Sequence, residues 1–195
     1  TFFPWANAYQ GKIGDGQVGV TSYVVPKGAM EFWEQRLEKF KIPFTKIERF
    51  GEQYLEFDDP HGLHLEIVER EEGKINTSTF GGVTPEVAIK GFGGATLLST
   101  QPNKTAELLE KVMGLELIGR EDDFVRFRSS ADIGNIIDLK LTPIGRGQAG
   151  VGTVHHIAWR AIDDHDQLDW QKYVTEAGYG VTPVQDRNYF NAIYF

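Results

Sequence analysis

The chain has 195 residues, of which 41% are hydrophobic and 25% are charged, and both values are ordinary for a globular protein. Its net charge of -8 argues against a nucleic-acid partner, because such binding depends on Lys and Arg side chains that neutralise phosphates. No apolar run approaches the ~20 residues that a membrane-spanning helix needs, so no membrane partner is expected. The absence of cysteine excludes disulfides and thiolate ligands, and we expect a cytoplasmic protein in which nitrogen and oxygen atoms hold any metal.

Residues 13–72 predict a strand, a helix and three further strands. Alternating apolar residues predict the first strand at Val18–Val25, and apolar residues near helical spacing predict a helix at Gly28–Phe40. Three strand-like runs follow, at Phe44–Arg49, Gln53–Phe57 and Leu63–Glu69. Residues 1–12 read as the end of an earlier, incomplete unit, with a strand tail at Thr1–Trp5, so we expect the chain to be a piece of a longer protein.

The same order of elements occurs again after a polar, Gly-rich linker at residues 73–90. Within residues 91–145 the pattern predicts a helix at Asn103–Met113 and strands at Gly91–Ser99, Leu115–Arg120, Asp123–Arg128 and Ile136–Leu141. This repetition favours paired β-α-β-β-β modules.

Residues 146–195 begin the order a third time but lack its last strand. They predict a helix at Asp166–Ala177 and strands at Val154–Arg160, Val181–Val184 and Ala192–Phe195. The run Gly145–Gly152 reads as a flexible hinge between modules.

The strand predicted at Val154–Arg160 contains two adjacent histidines, His155 and His156. Imidazole is the commonest transition-metal ligand and a good acid or base near neutral pH. Because successive side chains of a strand point to opposite faces, at most one of the two can face a given centre. The alternative is that one histidine is buried and hydrogen-bonded while the other lies at the surface.

Several segments of the chain resemble the vicinal-oxygen-chelate superfamily, which includes glyoxalase I, the bleomycin and fosfomycin resistance proteins and the extradiol dioxygenases. Within it, the chain resembles the hydroquinone-type ring-cleaving dioxygenases. The segments are Gly152-Thr-Val-His-His-Ile-Ala-Trp159, Asp186-Arg-Asn-Tyr-Phe-Asn-Ala-Ile-Tyr-Phe195, Thr1-Phe-Phe-Pro-Trp5 and Asp59-Pro-His-Gly-Leu-His-Leu-Glu66. The resemblance implies an α+β fold in which repeated βαβββ modules form cup-shaped mixed sheets.

The resemblance also implies a non-haem Fe(II) centre, with Mn(II) as the alternative, that acts on a small aromatic diol and O2. His156 matches a metal ligand of the family, and the other two ligands fall outside this chain. His155 matches an acid/base residue, Arg187 would offset the charge of a phenolate, and Tyr194 would hydrogen-bond to substrate or oxygen. Modules of this kind often pair across subunits, so a homodimer is also allowed.

A second metal site is an alternative at the last strands of the two earlier modules. Glu66 and Asp138 occupy the carboxylate positions there, with His64 close to Glu66, but Val20 and Gly94 replace the histidine of the first strands. The other interpretation is that both carboxylates are hydrogen-bonded in a cup that no longer binds metal. At the level of function, the alternatives are a glyoxalase or thiol-transferase type of metalloenzyme and a metal-free module that binds aromatic compounds.

Overall fold

The computed structural model describes residue 4 and residues 6–195 as an α+β structure around one eight-stranded sheet. The strands are β1 (Gln17–Val25), β2 (Phe44–Arg49), β3 (Glu52–Asp58), β4 (His64–Glu69), β5 (Gly91–Leu98), β6 (Glu116–Glu121), β7 (Phe124–Arg128) and β8 (Ile136–Lys140). The strand tail predicted at Thr1–Trp5 lies outside the described residues, apart from Pro4.

Three helices accompany the strands. They are α1 (Met30–Lys39), α2 (Pro102–Glu107), which continues as a π-helical turn at Leu108–Val112, and α3 (Asp164–Glu176). Two short strands, β9 (Gln185–Asp186) and β10 (Asn191–Ala192), follow α3. Within the described part of the chain, no helix has the length and apolar character required to cross a bilayer.

The sheet consists of two halves of the same topology that meet at its centre. Its order is β2-β3-β4-β1-β5-β8-β7-β6, with β1 parallel to β4, β5 parallel to β8, and β1 antiparallel to β5. Each half is one β-α-β-β-β unit, so the predicted fold class is confirmed. The exact module bounds, 13–72, 91–145 and 146–195 with a linker at 73–90, stay predictions.

The two faces of the sheet differ because side chains alternate along each strand. One face is apolar and is covered by α1 and by α2 with its π-helical turn. Leu37 of α1 packs on Val25, Leu55 and Ile67, while Leu109 packs on the equivalent strands of the other half. The opposite face carries polar side chains that are also buried, namely Ser22, Glu66, Thr96, Arg126 and Asp138.

The sheet is curled, so its polar face lines a cup. Strands β2 and β6 form its two edges, and a flat sheet of eight strands would separate them by about 33 Å. Nevertheless the backbone N–H of Phe50, which follows β2, donates to Oε2 of Glu121 in β6 at 2.9 Å. The edges therefore approach each other across the polar face.

The strand predicted at Val154–Arg160 is wrong. No strand in the described part of the chain pairs with these residues, and an extended segment needs a hydrogen-bonded neighbour to form a sheet. The strands predicted at Val181–Val184 and Ala192–Phe195 are likewise replaced by β9 and β10, which pair only with each other. Helix α3 does form, and Asp163 caps it by accepting from the N–H of Asp166 at 2.9 Å.

Residues 9–15 and 144–153 cross each other, and we call this pair of segments the glycine crossing. Lys12 and Gln148 exchange two backbone hydrogen bonds, with N···O distances of 2.8 and 2.7 Å, and the N–H of Gly11 donates to the carbonyl of Val151 at 2.9 Å. The prediction of a free hinge at Gly145–Gly152 is therefore wrong, because the segment is bonded to another part of the chain.

Candidate functional site

The four residues predicted to form the site lie together, although they come from separate segments. The ring of His156 meets the ring of Tyr194 edge-on, with the two centroids 6.2 Å apart. Nε of Arg187 donates to the Tyr194 hydroxyl at 3.2 Å, and its guanidinium lies 5.3 Å from the centre of that ring. His155 contacts His156, so one cluster contains all four side chains.

A tight turn and one threonine position Arg187 and Tyr194. In the turn between β9 and β10, Asn188 has a positive φ of 67° and donates its N–H to Oδ1 of Asp186 at 2.8 Å. The backbone of Tyr194 is held on both sides by Thr182. The Tyr194 N–H donates to Oγ1 of Thr182 at 3.0 Å, and the Thr182 N–H donates to the carbonyl of Tyr194 at 2.9 Å.

The two histidines share a short contact, which differs from the expectation that they point apart. Their Nδ1 atoms lie 2.7 Å apart, so one ring donates a proton that the other accepts. The two rings can meet in this way because residues 154–160 do not form a strand, in which successive side chains would point to opposite faces. Partial burial, together with the charge of His155, lowers the pKa of His156 and so favours the neutral imidazole, which is the form that binds metals.

The cup of the sheet holds a buried network of ion pairs. Glu66 is fully buried and accepts from Nη2 of Arg49 at 3.0 Å and from the Ser22 hydroxyl at 2.7 Å. Nε of the same Arg49 donates to Asp138 at 2.7 Å, so this guanidinium joins the carboxylates of the two halves. Burial alone would lower the pKa of Arg49, but Glu66 and Asp138 outweigh it and raise that pKa.

A second guanidinium continues the network. Nε and Nη2 of Arg126 donate to the two oxygens of Asp138 at 2.7 and 2.8 Å, and its Nη1 donates to Glu52 at 2.6 Å. Glu52 also accepts two bonds from Arg70 and one from the hydroxyl of Tyr54. Burial would raise the pKa of Glu52, but these bonds, with those from Arg70 foremost, lower it to about 2.

The cup does not fit a metal ion, because guanidinium groups already bind the carboxylates that would ligate it. The strand register pairs Glu66 with Ser22 and Asp138 with Thr96. The residues opposite the two carboxylates therefore carry hydroxyl groups, and they are not Val20 and Gly94, which the sequence had suggested for these positions. His64, the other candidate ligand, pairs with Asp58. In the described residues, no group of three or more His, Cys, Asp or Glu side chains is placed to hold a metal.

The cluster around His156 fits a metal better, but only as part of a site. It supplies an imidazole of lowered pKa near the surface, and the described residues add no carboxylate to it. Sequence reasoning missed Arg49, Arg126, Glu52 and Arg70. The sequence did contain a signal for a buried charge, because Arg126 lies among apolar residues in the strand segment Phe124-Val125-Arg126-Phe127.

Comparison with known proteins identifies the family. The model of the glyoxalase/bleomycin resistance protein/dioxygenase superfamily matches residues 91–195, which is more than half of the chain. The chain belongs to this superfamily. The superfamily match spans the second half of the eight-stranded sheet and continues through the cluster of His156, Arg187 and Tyr194.

Curated members of the glyoxalase/bleomycin resistance protein/dioxygenase superfamily extend beyond this chain. The chain is 81% identical over its whole length to the Bacillus subtilis (strain 168) protein named "Putative ring-cleaving dioxygenase MhqO", of which it covers 62%. It is 31% identical to the chlorohydroquinone/hydroquinone 1,2-dioxygenase of Sphingobium indicum, covering 100% of the chain and 63% of that protein. A crystal structure of a "putative dioxygenase" from Bacillus subtilis subsp. subtilis str. 168, also 81% identical, superposes with a TM-score of 0.97 over 100% of this chain and 63% of that one. The chain thus spans about three fifths of the length of these relatives.

Proposed function

We propose that the full-length protein is a ring-cleaving dioxygenase of the extradiol type that acts on hydroquinone- or catechol-like aromatics. The observation that carries the proposal is the cluster in which His156, Tyr194 and Arg187 meet. The names of the curated relatives support the reaction class, and the chlorohydroquinone/hydroquinone 1,2-dioxygenase supports the substrate class.

In this proposal His156 is one ligand of a non-haem Fe(II) ion, and the other two ligands come from outside this chain. A site with two histidines and one carboxylate is the arrangement expected of non-haem Fe(II) oxygenases. Fe(II) would supply the transfer of electrons from the aromatic ring to dioxygen. The remaining steps belong to the protein, which orients the diol and moves protons.

His155, Arg187 and Tyr194 would act on the substrate oxygens. His155 accepts the proton of a ring hydroxyl, which suits an imidazole near neutral pH. The positive charge of Arg187 stabilises the phenolate that results. Because Arg187 donates to the oxygen of Tyr194, the hydroxyl proton of Tyr194 remains available for a substrate oxygen.

The test is performed on the full-length protein, purified without metal and reloaded anaerobically with Fe(II) or Mn(II). We expect oxygen consumption with hydroquinone or catechol, and loss of both activity and bound metal in His156→Ala. A matched control is His165→Ala, an exposed histidine at the start of α3 that pairs with Asp169. Normal metal content in His156→Ala would contradict the ligand assignment, and no oxygen consumption with any aromatic diol would contradict the reaction.

A further inference from the structure

The glycine crossing lies directly before the two histidines of the site. Its two segments exchange backbone hydrogen bonds along their whole length, from the Val151 N–H donating to the carbonyl of Tyr9 at 2.9 Å to the Asp15 N–H donating to the carbonyl of Gly145 at 2.8 Å. His156 follows Val151 by five residues. The crossing therefore contains the last backbone hydrogen bonds before His156 for which both partners lie in the described part of the chain.

Glycine is required where the two backbones touch. A Cβ atom on Gly150 would lie 2.5 Å from the carbonyl oxygen of Tyr9 and 2.7 Å from the backbone nitrogen of Gly11. A Cβ atom on Gly14 would lie 2.5 Å from the carbonyl oxygen of Gly145. Because these are backbone atoms, no side-chain rotation relieves the clash, and alanine would push the two segments apart.

A buried carboxylate fixes the other end of the crossing. The two oxygens of Asp15 accept the N–H groups of Ile144 and Gly145 at 3.0 and 2.8 Å, and Asp15 is only 6% exposed. No cation pairs with this carboxylate among the described residues. The carboxylate of Asp15 therefore serves to hold the backbone of residues 144 and 145 in the glycine crossing.

Side-chain packing anchors the chain again immediately after the histidines. Ile157 packs against the hydrophobic core on the helix side of the second half of the sheet, which includes Leu139 and Phe127. His155 and His156 thus stand on a short span between the crossing and Ile157. A shift at the crossing would move the imidazole of His156, because few residues are left to absorb it.

We propose that Gly150 and Asp15 are positioning residues that set the place of His156 through the glycine crossing. The inference rests on the proposed function, in which His156 is a metal ligand. Groups that orient metal ligands typically change metal affinity by 10–100-fold when they are altered.

The experiment measures Co(II) binding to the metal-free, full-length protein by absorption titration, and amide hydrogen exchange at Gln148 and Val151. In Gly150→Ala we expect faster exchange at both amides and a loss of Co(II) affinity of about tenfold or more. Asp15→Asn keeps one of the two acceptor oxygens, so its loss should be smaller. If Gly150→Ala does not fold, Asp15→Asn alone tests the positioning role.

Two controls separate positioning from general destabilisation. Gly180→Ala makes the same chemical change where a Cβ atom meets nothing within 4 Å, and Ile67→Val loosens a core cluster that does not include Ile157. Both should retain Co(II) affinity within about twofold of wild type, as expected of changes outside the ligand environment. An equal loss in either control would overturn the inference, and so would faster exchange in Gly150→Ala with unchanged Co(II) affinity.

His156→Ala distinguishes the two proposals. If that variant binds Co(II) normally, the ligand assignment fails and the positioning role fails with it. If His156→Ala loses Co(II) while Gly150→Ala and Asp15→Asn bind it normally, only the positioning role is wrong.

Discussion

At the scale of single residues, guanidinium groups decide what the cup of the sheet can bind. Arg49 and Arg126 both contact Asp138, and Arg49 also contacts Glu66, so each carboxylate that could ligate a metal already has a cationic partner. The charges of the network balance, with three cations and three anions: Arg49, Arg70, Arg126, Glu52, Glu66 and Asp138. Removing one member should therefore leave an uncompensated charge in a buried place.

Glu52→Gln tests this balance and its pH dependence. At pH 7 we expect a loss of about 2 kcal/mol in unfolding free energy. This is below the ~3–5 kcal/mol of a fully buried pair, because Glu52 retains a quarter of its side-chain exposure. The native pKa of Glu52 is lowered to about 2 from an ordinary value of 4.5. Its stabilisation is thus fully present above about pH 4.5 and disappears as the pH falls towards 2.

Urea unfolding of both proteins from pH 7 to pH 2 measures this difference. The control is Glu116→Gln, which breaks the exposed pair with Arg128 and should cost less than about 0.5 kcal/mol. A difference between wild type and Glu52→Gln that stayed constant down to pH 2 would show that the charge of Glu52 does not stabilise the fold.

The strands of the eight-stranded sheet and helix α3 could be predicted from the sequence, whereas the strands after the sheet could not. The predicted strand Val18–Val25 corresponds to Gln17–Val25, and Gly91–Ser99 corresponds to Gly91–Leu98. In such strands the alternation of apolar residues reports a buried face, which is a local signal. Val154–Arg160 has a similar composition but no strand beside it in the described part of the chain, and pairing is a property of the fold rather than of the segment.

The same distinction applies to the candidate site. The sequence singled out His155, His156, Arg187 and Tyr194, and the structure brings them together, while their chemical roles stay predictions. The contact between the two histidines could not be predicted, because alternation in an assumed strand placed them apart. Nor could the link between Arg49 and Asp138, which joins residues 89 positions apart.

The hydroxyl of Thr182 fixes the backbone of Tyr194 beside the β9–β10 hairpin, and its removal should have a measurable effect. Thr182→Val keeps the shape of the side chain but removes the acceptor of the Tyr194 N–H. This amide should therefore exchange with solvent roughly fivefold faster, as expected for the loss of one hydrogen bond of ~1 kcal/mol. Thr182→Ser retains the hydroxyl and should exchange as wild type does. Hydrogen exchange read at Tyr194 measures both, and equal behaviour of the two variants would contradict the role of the hydroxyl.

At the scale of the whole molecule, the two halves of the sheet and residues 146–195 have different tasks. The sheet encloses a network of ion pairs formed by its own side chains, whereas in the proposed function the His156 cluster would bind metal together with ligands from outside this chain. In the full-length protein, Asp138→Asn should lower stability but leave the metal content equal to that of wild type, since the cup is filled by guanidinium groups.

Elemental analysis of the purified full-length protein provides the measurement. His156→Ala is the comparison variant, and it should lose the metal that Asp138→Asn retains. Loss of metal in Asp138→Asn, with the fold intact by circular dichroism, would place the metal in the sheet and contradict this division of tasks.

The glycine crossing also bears on the order in which the chain folds. The hydrogen bonds that close it join residues 129 to 142 positions apart, so the whole eight-stranded sheet lies within the loop that they close. Contacts of such long sequence separation are entropically costly until the intervening chain is compact, whereas hairpins such as β2–β3 and β6–β7 form from neighbours. During refolding the sheet should therefore assemble first, and the surroundings of His156 should reach their native arrangement last.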